Sequence, residues 1–339
     1  LIIVESFTKT KTISKYLDGE YKVICSLGHI CDLPKKSLGI DTTTWEGTYE
    51  NTNTKIIKNI RDCVREADVI YIASDPDIEG EAIAHHIKRS INNLLKNKTC
   101  YRVRFNEITK ISIINALQNP SSIDNDIVAA QETRRFLDRL VGFGMSPLLW
   151  KKFTNYTLSV GRVQSIALLM SIDNLENIKK HVLTQYWNIN CRFDAIPFGE
   201  KLSFKLYQND KLVKIDTEDD VITLLDRFDL KTTYKCLLNE KKSSESPSPP
   251  YTTTSLQQDA YNKFKFNTKK TMKIAQELYE NGYITYMRTD SNNISDEFKK
   301  KIIEYIGKTY NGNAKFRNYK NKISNAQEAH EAIRITDID

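Results

Sequence analysis

"DVIYIASDPDIEGEAIAHHIKRSINNLL", residues Asp68–Leu95, runs a β-branched segment straight into three acids and then into a helix-forming segment. "VIYIAS" has the composition of a strand, and "GEAIAHHIKRSINNLL" that of a helix. Asp75, Asp77 and Glu79 stand at alternate positions between them. If that stretch stays extended, alternate side chains point the same way and three carboxylates converge at a strand end. Such a cluster needs a counter-cation, and hard oxygen ligands suit Mg²⁺. The competing reading is an acidic loop that caps the helix N-terminus.

The same alternation extends outward through the first third of the chain. "LIIVES" precedes "KTKTISKYL", "YKVICSLG" and "YRVRFN" read as further strands, and "NTKIIKNIRDCVREA" and "TKISIINALQN" read as helices. Strands alternating with helices of this size predict a parallel α/β sheet. Ligands in such sheets gather beyond the carboxyl ends of the strands, which directs attention to the residues after "LIIV" and after "VIYIAS". Glu5 lies at the first of these ends, followed by Ser6, Thr8 and Lys9. A carboxyl beside a metal cluster and an anionic substrate is expected to have a raised pKa and so to donate a proton at neutral pH. A glutamate at a helix start can also serve only as a cap.

From about Ile127 the pattern is helical, through "VAAQETRRFLDRLVGFG" and "VGRVQSIALLMSIDNLENIKKH". The segments "YWNINCRFDA", "KLSFKLYQ" and "TTYKCLLNE" then read as β-rich. "KKSSESPSPP" cannot hold a helix and reads as an exposed hinge. Helical segments return on either side of "YITYMRTDSNNIS", residues 283–295.

Composition sets the outer limits. At 339 residues the chain has room for roughly two to three domains. A formal net charge of +7 permits a nucleic-acid partner without requiring one. Heavy use of Lys, Asn, Ile and Tyr looks like coding from an AT-rich genome and inflates the lysine count. The six cysteines form no C-x-x-C pair and read as free thiols of a reducing compartment. No apolar run approaches the ~20 residues of a membrane span, so a soluble intracellular protein is expected. The chain begins without Met and stops at "HEAIRITDID", which suggests a fragment of something longer.

"IIVES" with Lys9, paired with "DPDIEGEAIA", resembles the toprim fold, a Mg²⁺ domain shared by topoisomerases, primases and some nucleases. "GYITYMRTDS" closely resembles the active-site stretch of type IA DNA topoisomerases, in the form found in bacterial topoisomerase I. "SLGHICDLP", "RFNEIT", "QETRRFLDRLVGFGMSPLLW", "LSVGRVQS", "PYTTTSLQQDA" and "AHEAIR" also look like family blocks, in the family's order. Phe7, Pro76, Ile78 and His85 depart from the usual family residues, and Ile78 removes a charge beside the acids.

The resemblance implies a multidomain α/β plus α protein. A toprim domain with a Rossmann-like parallel sheet would occupy 1–123, with a short insertion near 36–50. Part of a helical DNA-gripping domain would follow at 124–180, then part of a β-rich hinge or arch at 181–244, and a helical domain bearing the active-site tyrosine at 245–339, the whole forming a toroid. It implies Tyr286 as the nucleophile that forms a 5′-phosphotyrosyl link, with Tyr283 left to packing. Arg288 and Lys9 would hold the scissile phosphate, Glu5 would protonate the departing 3′ oxygen, and Asp75, Asp77 and Glu79 would hold Mg²⁺. Arg134, Asp138, Arg162 and Gln164 would line a groove for single-stranded DNA, although Arg134 and Asp138 could equally form an i to i+4 ion pair. His330 would stand beside the active site.

The expected activity is ATP-independent relaxation of negatively supercoiled DNA by a monomer, in a bacterial cytoplasm or nucleoid, or in an organelle or virus; helicase or polymerase partners are not specified. The alternatives are a toprim nuclease or primase, and a catalytically inactive single-stranded DNA-binding protein.

Overall fold

In the computed structural model the first third of the chain runs β1 (Ile2–Val4), α1 (Phe7–Tyr16), β2 (Val23–Cys25), β3 (Cys31–Asp32), β4 (Glu50–Asn51), α2 (Thr54–Glu66), β5 (Val69–Ile72), α3 (Ile78–Ile91), β6 (Thr99–Arg102) and α4 (Lys110–Gln118). The structure describes residues 1–195, 199–228, 235–237, 239–310, 317, 319 and 331–338. One sheet has the strand order β2-β1-β5-β6, and every neighbouring pair is parallel. β1 is buried at all three residues, as a central parallel strand covered on both faces must be. Its side chains divide between two cores. Ile3 joins Ile70, Ile72 and the buried stripe Ile57, Ile60 and Val64 of α2, together with Ile83 and Ile87 of α3. Ile2 and Val4 face the other way, toward Ile13 of α1 and Ile113 of α4.

α5 (Asn125–Phe153) begins at an Asp124 cap and packs against α3. α6 (Arg162–Lys180) follows. The chain divides into two units, Leu1–Arg162 with Ser246–Asp339, and Val163–Glu245. Within the second, β7 (Asn190–Ala195) and β8 (Glu200–Lys205) form an antiparallel pair, β9 (Tyr207–Gln208) and β10 (Lys211–Leu212) form another, and α7 (Glu218–Leu225) follows. "TTYKCLLNE" was expected to be a strand; 235–237 and 239–240 adopt none, and the rest of it lies outside the described residues. The sequence reading also missed α7, whose eight residues are too few to display a helical period convincingly. "KKSSESPSPP" is exposed and without regular structure, as its prolines and serines dictate.

In the first unit, α8 (Thr253–Phe264), α9 (Thr268–Glu280) and α10 (Asp296–Tyr310) complete the elements. α8 starts on a capping box between Thr252 and Ser255. Ala275 and Tyr279 of α9, with Tyr286, Met287 and Ile333, enter the same core as Ile2 and Val4. Residues 284–287 are therefore built into the α1/α4 side of the parallel sheet. Gly282 makes the turn that takes it there: its φ is +81°, and an added Cβ would lie 2.5 Å from the Ile108 carbonyl oxygen.

Candidate active site

Because β1 and β5 are neighbours in the sheet, the residues that follow them meet. Lys9, in the first turn of α1, is only 1% exposed and donates from Nζ to Glu5 Oε1 at 3.0 Å and to Asp75 Oδ1. A buried ammonium needs such partners. Glu5 and Asp75 are also hydrogen-bonded to each other. Burial pushes the Glu5 carboxyl up, but the hydrogen bond from Asp75 and the charge of Lys9 outweigh it and hold Glu5 at about 2. In Asp75, burial and the hydrogen bond with Glu5 outweigh Lys9, and its pKa lies well above the usual carboxylate range. The raised pKa expected of Glu5 thus belongs to Asp75. Two carboxyls sharing one lysine cannot both ionise freely, and the more deeply buried one keeps the proton.

The alternation expected of Asp75, Asp77 and Glu79 does not persist. α3 begins at Ile78, so Glu79 is already helical, and Asp77 is the N-cap, its Oδ1 accepting from Gly80 N at 2.7 Å. The loop is tight enough that a Cβ on residue 80 would lie 2.1 Å from the Asp75 carbonyl oxygen, which excludes every residue but glycine. Among the described residues no three histidine, cysteine or carboxylate side chains form a ready-made metal site. The expected convergence therefore gives way to three separately engaged acids. Glu79 accepts from Gln131 at 3.1 Å and lies 3.3 Å from His29 Nε2. Glu5, Asp75, Asp77 and Glu79 nonetheless line one cavity of about 630 Å³. An all-oxygen donor set of this kind fits a hard divalent cation.

Tyr286 and Arg288 reach the same acids from the other side. The Tyr286 hydroxyl donates to Asp77 Oδ2 at 2.5 Å, and Arg288 Nη1 donates to the same oxygen at 3.2 Å. Tyr286 is 3% exposed, and its backbone N–H is anchored on the Asn106 carbonyl at 2.7 Å. Burial, then the charges of Asp75 and Asp77, push its phenol far above the ordinary value. Its ring meets Tyr279 edge to face with centroids 5.1 Å apart, and Lys9 Nζ lies 5.4 Å from the Tyr279 centroid. Tyr283, expected to pack, is instead 65% exposed. The turn at Gly282 puts position 283 outside and position 286 inside, so the tyrosine expected to pack is the exposed one.

Some expected DNA-groove residues come together. Arg134 and Asp138 line a cavity shared with His29, Glu79 and Gln131. Asp138 accepts from Arg162 Nε at 2.7 Å, so the i to i+4 pair with Arg134 gives way to a longer-range one. Gln164 is exposed on α6 and belongs to the other unit. His330 lies outside the described residues.

The sequence reading passed over Arg102, which is fully buried. It donates to Glu81 at 2.9 Å and to the carbonyls of Ser74 and Asp75 at 2.8 and 2.7 Å, fixing the acidic loop from behind. The one available signal was an arginine inside the apolar strand "YRVRF", which demands a buried partner.

A parallel sheet that brings a lysine and carboxyls to its strand ends, closed by a buried tyrosine from a second segment, defines a toprim-bearing multidomain α/β protein. The comparisons agree. Residues 1–108 match the model of the Toprim domain, a metal-binding domain, and residues 122–339 match that of the DNA topoisomerase family. The chain is 42% identical to "DNA topoisomerase 1" of Rickettsia prowazekii and 41% identical to that of Rickettsia typhi, aligned along all of this chain and 46% of each relative. It spans less than half the length of those relatives. Full-length topoisomerase I from Thermotoga maritima superposes with a TM-score of 0.80 at 34% identity, covering 99% of this chain and 55% of that one. The chain belongs to the type IA DNA topoisomerase family.

Proposed function

We propose that this chain is the cleaving part of an ATP-independent topoisomerase that relaxes negatively supercoiled DNA through transient single-strand breaks. One observation carries the reading: the Tyr286 hydroxyl, the Arg288 guanidinium and the Asp77 carboxylate share one hydrogen-bonded point, in the same unit as the Lys9–Glu5–Asp75 cluster. Residues 1–123 serve as the catalytic toprim domain, 124–180 grip the strand, 181–244 form an arch, and 245–339 carry the tyrosine.

The Tyr286 oxygen attacks a backbone phosphorus and the bond to the 3′ oxygen breaks, leaving a 5′-phosphotyrosyl link and a 3′ hydroxyl. The phenol proton passes first to Asp77, its hydrogen-bond acceptor. A phenol with an ordinary pKa of about 10 needs the developing charge stabilised elsewhere; Arg288 supplies this by turning from Asp77 to the phosphate, and Lys9 does so from the sheet side. The departing oxygen takes the proton held between Glu5 and Asp75, and returns it when the break is resealed. Asp75, Asp77 and Glu79 are the residues that would hold Mg²⁺, which supplies positive charge for positioning the broken ends. The substrate is a single-stranded stretch of bacterial DNA, gripped along Arg134, Asp138 and Arg162, and the protein acts as a monomer.

The test is a single-stranded oligonucleotide labelled at its 3′ end and a reaction stopped with denaturant. Label migrating with the protein is expected. Label found on the protein only when the 5′ end carries it would reverse the polarity, and none in either case would sink the proposal.

A further inference from the structure

The active-site cavity must receive a polyanion, yet its walls carry the carboxylates Glu5, Asp75, Asp77 and Glu79. Cations that already hold acids have less charge left for a phosphate. Lys9 is bound to Glu5 and Asp75, and Arg288 to Asp77 at 3.2 Å. Lys273 differs from both. It projects from α9 into the lining beside Met272 and Gln276, its side chain is 79% exposed, and its acidic neighbour is Glu277 one helical turn on, at 4.0 Å. A solvent-exposed pair at that separation holds its lysine weakly.

We infer that Lys273 is a strand-binding residue of this site, contacting a backbone phosphate next to the one Tyr286 attacks. α9 ends at Glu280, and the turn at Asn281–Gly282 leads directly to Tyr286, so one rigid element fixes the spacing between this cation and the nucleophile. The contact is a point charge on a flexible stem. It adds affinity without reading sequence, as phosphate contacts do. Because Lys273 touches none of the reacting groups, it acts on binding of the strand and leaves the chemical step alone.

The inference rests on the proposed cleavage activity, and the two are separable by measuring binding apart from chemistry. The assay is equilibrium binding of a fluorescent single-stranded oligonucleotide in excess chelator, from low to moderate salt. Losing one phosphate contact lowers the slope of log K against log salt by about 0.7 and weakens binding about fivefold at 0.1 M salt. Lys273→Ala is expected to show both changes, Lys273→Arg to retain the wild-type slope, and Lys58→Ala, on the outer side of α2, to match the unaltered protein. A wild-type slope in Lys273→Ala, with oligonucleotide binding and covalent cleavage otherwise normal, overturns the inference alone. Failure of the unaltered protein to bind single strands overturns it together with the proposed function. Normal binding without a covalent adduct removes the nucleophile assignment and leaves the lysine contact in place.

Discussion

The Tyr286 hydroxyl and the Asp77 carboxylate are 209 residues apart in sequence and 2.5 Å apart in space. Asp77 holds two other groups as well, capping α3 through one oxygen and pairing with Arg288 through the other. The proposed nucleophile is thus tied to the acidic loop before any substrate is present, and it must leave that partner to attack.

Tyr286→Phe removes the proposed attacking oxygen and keeps a ring that still packs on Tyr279. Covalent adduct should vanish, while oligonucleotide affinity should stay within about twofold, a change of less than 0.5 kcal/mol. Tyr283→Phe alters an exposed side chain and should leave both measurements unchanged. Adduct formed by Tyr286→Phe and lost in Tyr283→Phe would interchange the two roles.

Asp75→Ala with Asp77→Ala should abolish cleavage or raise the Mg²⁺ concentration it requires, since fewer anionic oxygens bind a hard cation less tightly. Mg²⁺ titration followed by calorimetry gives a readout independent of activity. Unchanged Mg²⁺ affinity in the double variant would remove these acids from the metal site.

Arg102→Met should cost on the order of 3 kcal/mol in denaturant unfolding, because it removes one of the two arginines that pair with buried Glu81 and leaves Arg104 as the remaining cation. The Ser74 and Asp75 carbonyls would lose their donor in the same step. Adding Glu81→Leu should recover much of the loss, although Arg104 would then lose its 2.5 Å contact. A double variant no more stable than the single one would show that the carbonyl contacts outweigh the ion pair.

The strand ends were legible because "LIIV" and "VIYI" are short β-branched runs followed at once by polar residues. The meeting of Glu5 with Asp75 was not, since it depends on β1 lying beside β5, a pairing between segments nearly seventy residues apart in register. The metal-site geometry was misjudged at one residue. Alternation holds only while the backbone is extended, and the Asp77 cap starts the helix one position later. The exposure of Tyr283 and the burial of Tyr286 follow from a positive φ at Gly282, which spacing alone does not reveal.

His86 gives the protein an acid-side weakness. Both ring nitrogens are buried without a hydrogen-bond partner, and burial, then the neighbouring His85 and His29, lower its pKa to about 4. The unfolded chain, with an ordinary histidine pKa near 6.5, binds the proton more tightly than the folded one. Stability from this site is therefore full above about pH 6.5 and is lost as pH falls toward 4, by an amount on the order of 3 kcal/mol. His86→Leu should flatten unfolding free energy across that window. An equally steep decline in the variant would place the titrating group elsewhere.

Gly282 joins the fold to the chemistry, and a single methyl group there should separate the two. At φ +81° an L side chain is strained, a cost of order 1–3 kcal/mol. The added Cβ would also lie 2.5 Å from the Ile108 carbonyl oxygen, which is backbone and cannot rotate away. The turn must shift outward. It cannot do so freely, because the Gly282 carbonyl accepts from Thr336 at 2.6 Å, Thr285 N–H donates to the Arg334 carbonyl at 2.9 Å, and Tyr286 N–H is held on Asn106. The displacement is therefore passed along the four residues to Tyr286, whose 2.5 Å hydrogen bond to Asp77 tolerates little. A misplacement of about 1 Å at a reacting group costs on the order of a hundredfold in rate. Gly282→Ala is thus expected to lower the single-turnover cleavage rate far more than oligonucleotide affinity, with a moderate fall in thermal stability. A variant that unfolds at a lower temperature yet cleaves at the wild-type rate when folded would show that the turn positions the chain without positioning the tyrosine.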